Sequence, residues 1–342
     1  MRDSPEVTPA GRSERVDRRP PRIFLPAEGH PELSSWQLGR QAHCEIPTRG
    51  VRSDRPLDSV PDQACAFFRV LPANCAFSHG TAARILGIPV PQRIQRRSEL
   101  DVMRPTGSPP LERQGVRAHS GLEHRTVVSH EALSLTSPAD TWCDLAAPWL
   151  GFTVDELIIA GDAVCELLAV TRFQDELHPR LRPGDQGWER DSALRGISRM
   201  MHTLAARRRH KGKARLLEAF PHLRPRVWSP METRLRLILL RAGLPEPLLN
   251  AEVHFAHGGG RIMTGDLVWR EQRVIGEYHG LDHRSLKSRA ADSSKRGLAE
   301  ADGWRVVEVF KHQVFEDRHR AELIRRLATH LGIPLDQVNL WV

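Results

Sequence analysis

Three carboxylates, Glu232, Asp266 and Glu277, fall where a small sheet and its packing helix could gather them. Residues 261–269 and 273–278 read as neighbouring strands. If Glu271-Gln272 close the hairpin, Asp266 lies directly opposite Glu277. A four-residue loop keeps that register and a three-residue loop breaks it. Directly opposed side chains have Cβ atoms ~4.5–5.5 Å apart, and like charges there repel. Both acids share a face with Val268 and Ile275, at the edge of partly apolar surface. The conflict is relieved by a cation between them or by protonation of one acid. A hard divalent ion that takes oxygen ligands, Mg²⁺ or Mn²⁺, meets the first condition. The plainer reading is two solvated acids near a strand end. Against it, Glu232 brings a third carboxylate from the packing helix. The stretch His279-Gly280-Leu281-Asp282-His283-Arg284 that follows is also dense in groups able to meet a phosphate.

A phosphate-bearing partner is suggested independently by the charge. Fifty Lys+Arg against 42 Asp+Glu give +8. From Arg190 to Arg226 there are eleven basic residues and two acidic ones, so this stretch alone carries +9. A local excess of this kind suits a polyanion, nucleic acid and DNA first, although a solvated basic helix face would have the same composition. Its densest part, Arg207, Arg208, Arg209 and Lys211, sits on or beside a helix marked by Leu204, Leu216 and Leu217.

The elements that would position these groups divide the chain into four parts. Residues 1–60 hold eight of the 25 prolines and ten arginines and read as a mostly flexible leader. Residues 61–185 read as a small α+β module: helices over 63–71, 78–86, 138–147 and 154–170, with short strands at 100–104, 116–119 and 126–128. Residues 186–228 form a basic connector, helical over 198–217. From 229 the pattern is clearest. Ser229-Pro230-Met231-Glu232 is a helix start, with serine as cap, proline in the first turn and glutamate three residues on. Leu235, Ile238, Leu239 and Ala242 continue its apolar stripe. Strands at 251–256, 261–269 and 273–278, a polar helix at 286–301, a β-branched strand at 305–310 and a helix at 317–331 follow. The order is α-β-β-β-α-β-α. Gly258-Gly259-Gly260 reads as a hairpin turn, not a nucleotide loop.

These residues resemble a known pattern. Glu232, Gly265-Asp266-Leu267-Val268-Trp269, Glu277-Tyr278-His279-Gly280 with His283-Arg284, and Gly303-Trp304-Arg305-Val306-Val307 follow one another as in a bacterial family of uncharacterised domains. That family is related to very short patch repair endonucleases, within the PD-(D/E)XK superfamily. The resemblance covers about 229–332. It implies metal-dependent hydrolysis of phosphodiester bonds, with Asp266, Glu277 and the Tyr278 carbonyl as Mg²⁺ or Mn²⁺ ligands and Glu232 as an accessory acid. Arg296 would stabilise charge developing on the phosphate, and Arg284 would hold the nucleic acid. The superfamily's lysine is His279 here, and the proline before its first acid is Gly265. A neutral His279 could orient water. His283 could supply the missing cation or cap the next helix.

Upstream, Phe77-Ser78-His79-Gly80-Thr81-Ala82-Ala83 and residues 135–146 are similar to a segment that precedes such domains in actinobacterial proteins, one grouped with AbiEi-type antitoxins of type IV toxin–antitoxin systems. Helix caps at Ser78 and Ser137 explain the same residues without a ligand. The second functional reading is therefore a DNA-binding regulator of the antitoxin type that keeps the nuclease fold without turnover. A third is a structural module with a chance acid pair. Five cysteines, never two residues apart, fit a reducing cytoplasm better than a disulfide framework or zinc ribbon. No apolar run approaches the ~20 residues needed to cross a bilayer. Lone histidines such as His130 and His202 read as surface or packing residues.

Overall fold

The computed structural model describes residues 20–29, 34, 37, 44–169, 188–207, 211–258, 260–279 and 286–342, with only the helical backbone at 188–194 and 286–292. Contacts divide the chain into two units at Ala73/Asn74.

The first unit is more than a flexible leader. Strand β1 (Ile23–Phe24) pairs antiparallel with β2 (Arg52–Ser53), and Glu45 bridges to Ser53. Phe24, Cys44 and Val51 are buried. Helix α1 (Val60–Phe68) starts at Ser59, whose side chain accepts from the Asp62 amide, with Pro61 in the first turn. The leader's residues 1–19 lie outside the described residues.

The second unit opens with a mixed five-stranded sheet. Chain order is β3 (Ala76–Phe77), α2 (His79–Ile85), α3 (Gln92–Gln95), β4 (Leu100–Arg104), β5 (Val116–Ser120), β6 (Val127–His130) and β7 (Leu133–Thr136). In space the order is β5-β4-β3-β7-β6, with parallel β4·β5 and β3·β7 pairs. Helix α4 (Pro138–Leu145) is capped by Ser137, and α5 (Val154–Ala169) follows. The helix expected over 198–217 is two helices, α6 (Trp188–Ala206) and α7 (Lys213–Ala219). Gly212 separates them at φ +97°, and a Cβ there would lie 2.0 Å from the Ala146 carbonyl oxygen. The chain must turn at this point and only glycine fits.

From Ser229 the expected order of elements is present, with one short helix added. These are α8 (Pro230–Arg241), β8 (Leu248–His254), β9 (Arg261–Trp269), β10 (Val274–His279), α9 (Leu286–Ala301), β11 (Arg305–Phe310), α10 (Lys311–Phe315) and α11 (Asp317–Leu331). The sheet runs β11-β10-β9-β8; β8, β9 and β10 are antiparallel, and β10 pairs parallel with β11 across α9. Alternation along the strands gives each face its own core. Leu267, Trp269, Val274, Val307 and Val309 pack with Leu235 and Leu239 of α8 and with Leu323, Ile324 and Leu327 of α11. Val268 and Ile275 pack on the other face with Ala299 of α9 and Trp304. The protein is thus a mixed α/β molecule, and this second sheet is covered on both sides.

The two sheets are linked by buried polar contacts. Asp162 of α5 accepts from Thr233 Oγ1 (2.9 Å) and Arg236 Nη2 (3.1 Å) of α8 and from the Arg224 amide (2.7 Å). Arg236 is fully buried and also reaches Glu246. Among the described residues no helix is long and apolar enough to cross a membrane.

One buried group makes stability pH-dependent. His79 has a left-handed φ of +47° and is 6% exposed. Burial holds its imidazole down to about 4, against an opposing pull from Asp144. Its neutral form is favoured by folding, so the contribution is complete above the unfolded value of about 6.5 and is lost as pH falls toward about 4. The loss amounts to about 3 kcal/mol. His79→Asn keeps a residue type tolerant of positive φ. Urea unfolding at about pH 7 and about pH 4.5 should show the variant's stability falling less than the parent's. Equal falls would contradict this account.

Candidate acidic site on the C-terminal sheet

The β9–β10 connection is a four-residue turn, 270–273, closed by the Arg273 amide on the Arg270 carbonyl (3.2 Å). The register is the expected one: Trp269↔Val274, Val268↔Ile275 and Leu267↔Gly276. One step further, Asp266 comes level with Glu277, and regular pairing stops. The Asp266 carboxylate instead accepts the Tyr278 amide proton at 2.8 Å. A carboxylate has taken the place of a ladder carbonyl, which fixes Asp266 beside the end of β10. Both acids are half-buried.

A third acid stands in the same row. The parallel β10·β11 ladder makes Glu308 the registered partner of Glu277, and registered partners present side chains on the same face. Glu308 Oε1 receives Arg296 Nη2 of α9 at 2.5 Å and lies 3.3 Å from His279 Nε2. The His279 ring stacks on Phe310, centroids 5.5 Å apart. Arg296 and His279, both expected near the acids, therefore converge on a glutamate that the sequence does not single out. Its one signal is a lone acid in the run Arg305-Val306-Val307-Glu308-Val309, but parallel register is not set by any turn length.

Gly265 is packed closely beside this row. A Cβ there would lie 2.7 Å from Ile275 Cγ2, 2.8 Å from Val268 Cγ2 and 3.5 Å from the buried Glu277 Oε1. Glycine at 265 thus lets Ile275 and Val268 close in beside the second acid.

Glu232 has a different task. It is 6% exposed; Oε2 accepts from the Trp228 amide (3.0 Å) and Asn250 Nδ2 (2.7 Å), while its own amide donates to Ser229 Oγ (3.2 Å). Its carboxylate is spent on the start of α8 and on Asn250. Asn250 interrupts β8 at φ +43°, between the pairs Leu249↔Leu267 and Ala251↔Gly265, so it stands across from Asp266. It is fully buried, donates also to the Arg226 carbonyl (2.8 Å), and its Oδ1 has no hydrogen-bond partner among the described residues. Tyr278 contributes its amide to Asp266, and its ring packs against the α8/α11 core; partial burial raises its phenol above the ordinary value.

The basic cluster is described only at Arg207 and Lys211. Arg207 is 6% exposed and paired with Asp140 (2.5 Å) and Asp144 (3.3 Å). This corrects its expected place among the phosphate-binding side chains. The spacing Met200, Leu204, Arg207 puts it on the buried stripe of α6, a signal that its basic neighbours obscure. Lys211 is exposed. Arg208, Arg209, His283 and Arg284 lie outside the described residues. Among the described residues no three His, Cys, Asp or Glu side chains form a metal-holding group.

The chain is similar to uncharacterised proteins of Mycobacterium tuberculosis strains CDC 1551 and H37Rv. The match is 29% identical over 146 residues, covering 41% of this chain and 52% of each relative. The chain thus spans about half the length of the curated relatives it matches. No protein-family model and no solved structure matches it.

Gly265→Ala tests the packing beside Glu277. The added methyl meets two branched side chains at under 3 Å. Unfolding free energy should fall by about 1–3 kcal/mol in a urea titration. An unchanged midpoint would show that the space is not confined.

Proposed function

We propose that the C-terminal sheet carries a divalent-cation-dependent phosphodiester hydrolase site of PD-(D/E)XK type, acting on nucleic acid and on DNA in the first instance. The supporting observation is the row Asp266, Glu277 and Glu308 on three adjacent strands, with Arg296 and His279 drawn onto its last member. Adjacent carboxylates at half-buried positions favour a cation between them. The donors are hard oxygens. Asp266 and Glu277 would hold Mg²⁺ or Mn²⁺, and the Tyr278 carbonyl is a further donor that the resemblance adds. When bound, the ion polarises a phosphate oxygen and lowers the pKa of an attacking water.

The chain's own groups do the rest. The Tyr278 amide fixes one oxygen of Asp266. His279 Nε2 lies 3.3 Å from Glu308 Oε1 without a hydrogen-bond partner among the described residues, and the imidazole could orient water. Arg296, anchored through one nitrogen, keeps further guanidinium N–H groups for a phosphate oxygen. Glu232 acts by holding Asn250 and the start of α8 in place. Five free thiols, four of them buried, fit a reducing cytoplasm. A DNA-binding regulator without turnover, of the type IV antitoxin kind, is the second reading. It is favoured by His279 standing where the resemblance would put a lysine, since an imidazole is not a permanent cation.

Cleavage of plasmid and single-stranded DNA with Mg²⁺ or Mn²⁺ separates the two. Parent protein should nick, and Asp266→Asn and Glu277→Gln should each lose about 100-fold or more in rate while still binding DNA. Binding without cleavage by the parent under either metal selects the regulator. Equal nicking by parent and variants would place catalysis elsewhere.

A further inference from the structure

A second group of chemically distinctive side chains lies in the N-terminal half of the same unit. Trp149 sits in the short turn Pro148–Leu150 after α4 and is 39% exposed. The Arg97 and Arg117 guanidinium carbons lie 4.8 and 5.0 Å from its ring centroid. The His119 ring stacks on it at 5.2 Å with an interplanar angle of 18°. Such a half-open indole is usually mobile, but here it has a rigid support. His119 packs on His79 at 4.1 Å, and its Nε2 is 3.0 Å from Oδ1 of buried Asp101. The Asp101 amide in turn donates to Thr81 Oγ1 at 2.7 Å. His79 Nδ1 lies 2.9 Å from the buried Ser78 hydroxyl. The platform therefore rests on β4, β5 and the start of α2.

The cations around it are open to a ligand. Among the described residues no carboxylate lies within ion-pair distance of Arg97. Arg117 pairs with Glu99 at 2.8 Å, but both side chains are near half exposed, at 43% and 49%. Such a pair contributes little and exchanges readily for another anion. Residues 93–125 hold seven arginines against four acids, and one of those acids, Asp101, is buried against His119. Strand β5, which carries Arg117 and His119, is an open edge of its sheet.

From this arrangement we infer that Trp149, Arg97 and Arg117 form a binding site for single-stranded nucleic acid. An unpaired base stacks on the indole and the flanking phosphates meet the two guanidinium groups. A supported aromatic beside arginines is what an unpaired base and its backbone require. A duplex, whose bases stack on one another, offers the indole no ring face. The site shares with the proposed hydrolase only the class of ligand and does not depend on cleavage.

The test is fluorescence anisotropy of a labelled oligothymidylate with the full chain in EDTA, at several salt concentrations. Trp149→Ala should weaken binding about tenfold with its salt slope retained, and Trp149→Phe should stay within about threefold of the parent. Arg97→Gln with Arg117→Gln, changes at the surface, should reduce the slope of log K against log salt by about 1.4, or about 0.7 for each phosphate no longer neutralised. Absence of single-strand binding by the parent overturns the inference, and so does parental affinity and slope in the double arginine variant. If the platform variants lose binding while the parent never cleaves, the hydrolase reading falls and this site stands.

Discussion

Two antiparallel strands joined by a short closed turn cannot slide, and here that constraint brings like charges together. With four residues in the β9–β10 turn, Asp266 reaches the level of Glu277 at the point where the ladder ends. The crossover through α9 then places Glu308 beside Glu277 on the third strand. Any rearrangement that relieved the repulsion by a one-residue slip would turn Val268 and Ile275 out of the α9-side core and Leu267 and Trp269 out of the other. Apolar burial on two faces outweighs the repulsion of a few half-buried carboxylates. The level of the three acids is therefore held by the packing around them.

The surrounding polar contacts are arranged to manage that charge. The Tyr278 amide, Arg296 and His279 each face one acid of the row. Asn250, at positive φ opposite Asp266, breaks the β8·β9 ladder there, and Glu232 keeps it in place. Further out, Asp162 joins α5 to α8 through Thr233 and Arg236, so the helix bearing Glu232 is tied to the N-terminal half of the unit. Breaking such a buried pair from one side is costly, because the partner charge stays behind.

Much of this is legible in the sequence where a local rule governs. Residues 261–269, 305–310 and 317–331 have the expected bounds because their apolar periods are long and flanked by glycine or a turn. The Asp266–Glu277 level is legible because turn length alone decides antiparallel register. Glu308 is not, since a parallel register depends on how a sixteen-residue helix packs across the sheet. Strands β3 and β7, at two and four residues, are too short to show a period, and β3 exists through its pairing with both β4 and β7. Arg207 reads as one of a basic run, yet the buried stripe of α6 and the two aspartates of α4 draw it inward.

We propose that Asp266 and Glu277 act together on one doubly charged cation. Calorimetric titration of Mn²⁺ into the full chain, the Asp266→Asn variant and the Glu277→Gln variant tests it without reference to any substrate. The account predicts saturable heat with the parent that is lost in either single variant. Saturable heat of the same size in all three proteins would contradict it, and so would its absence from the parent.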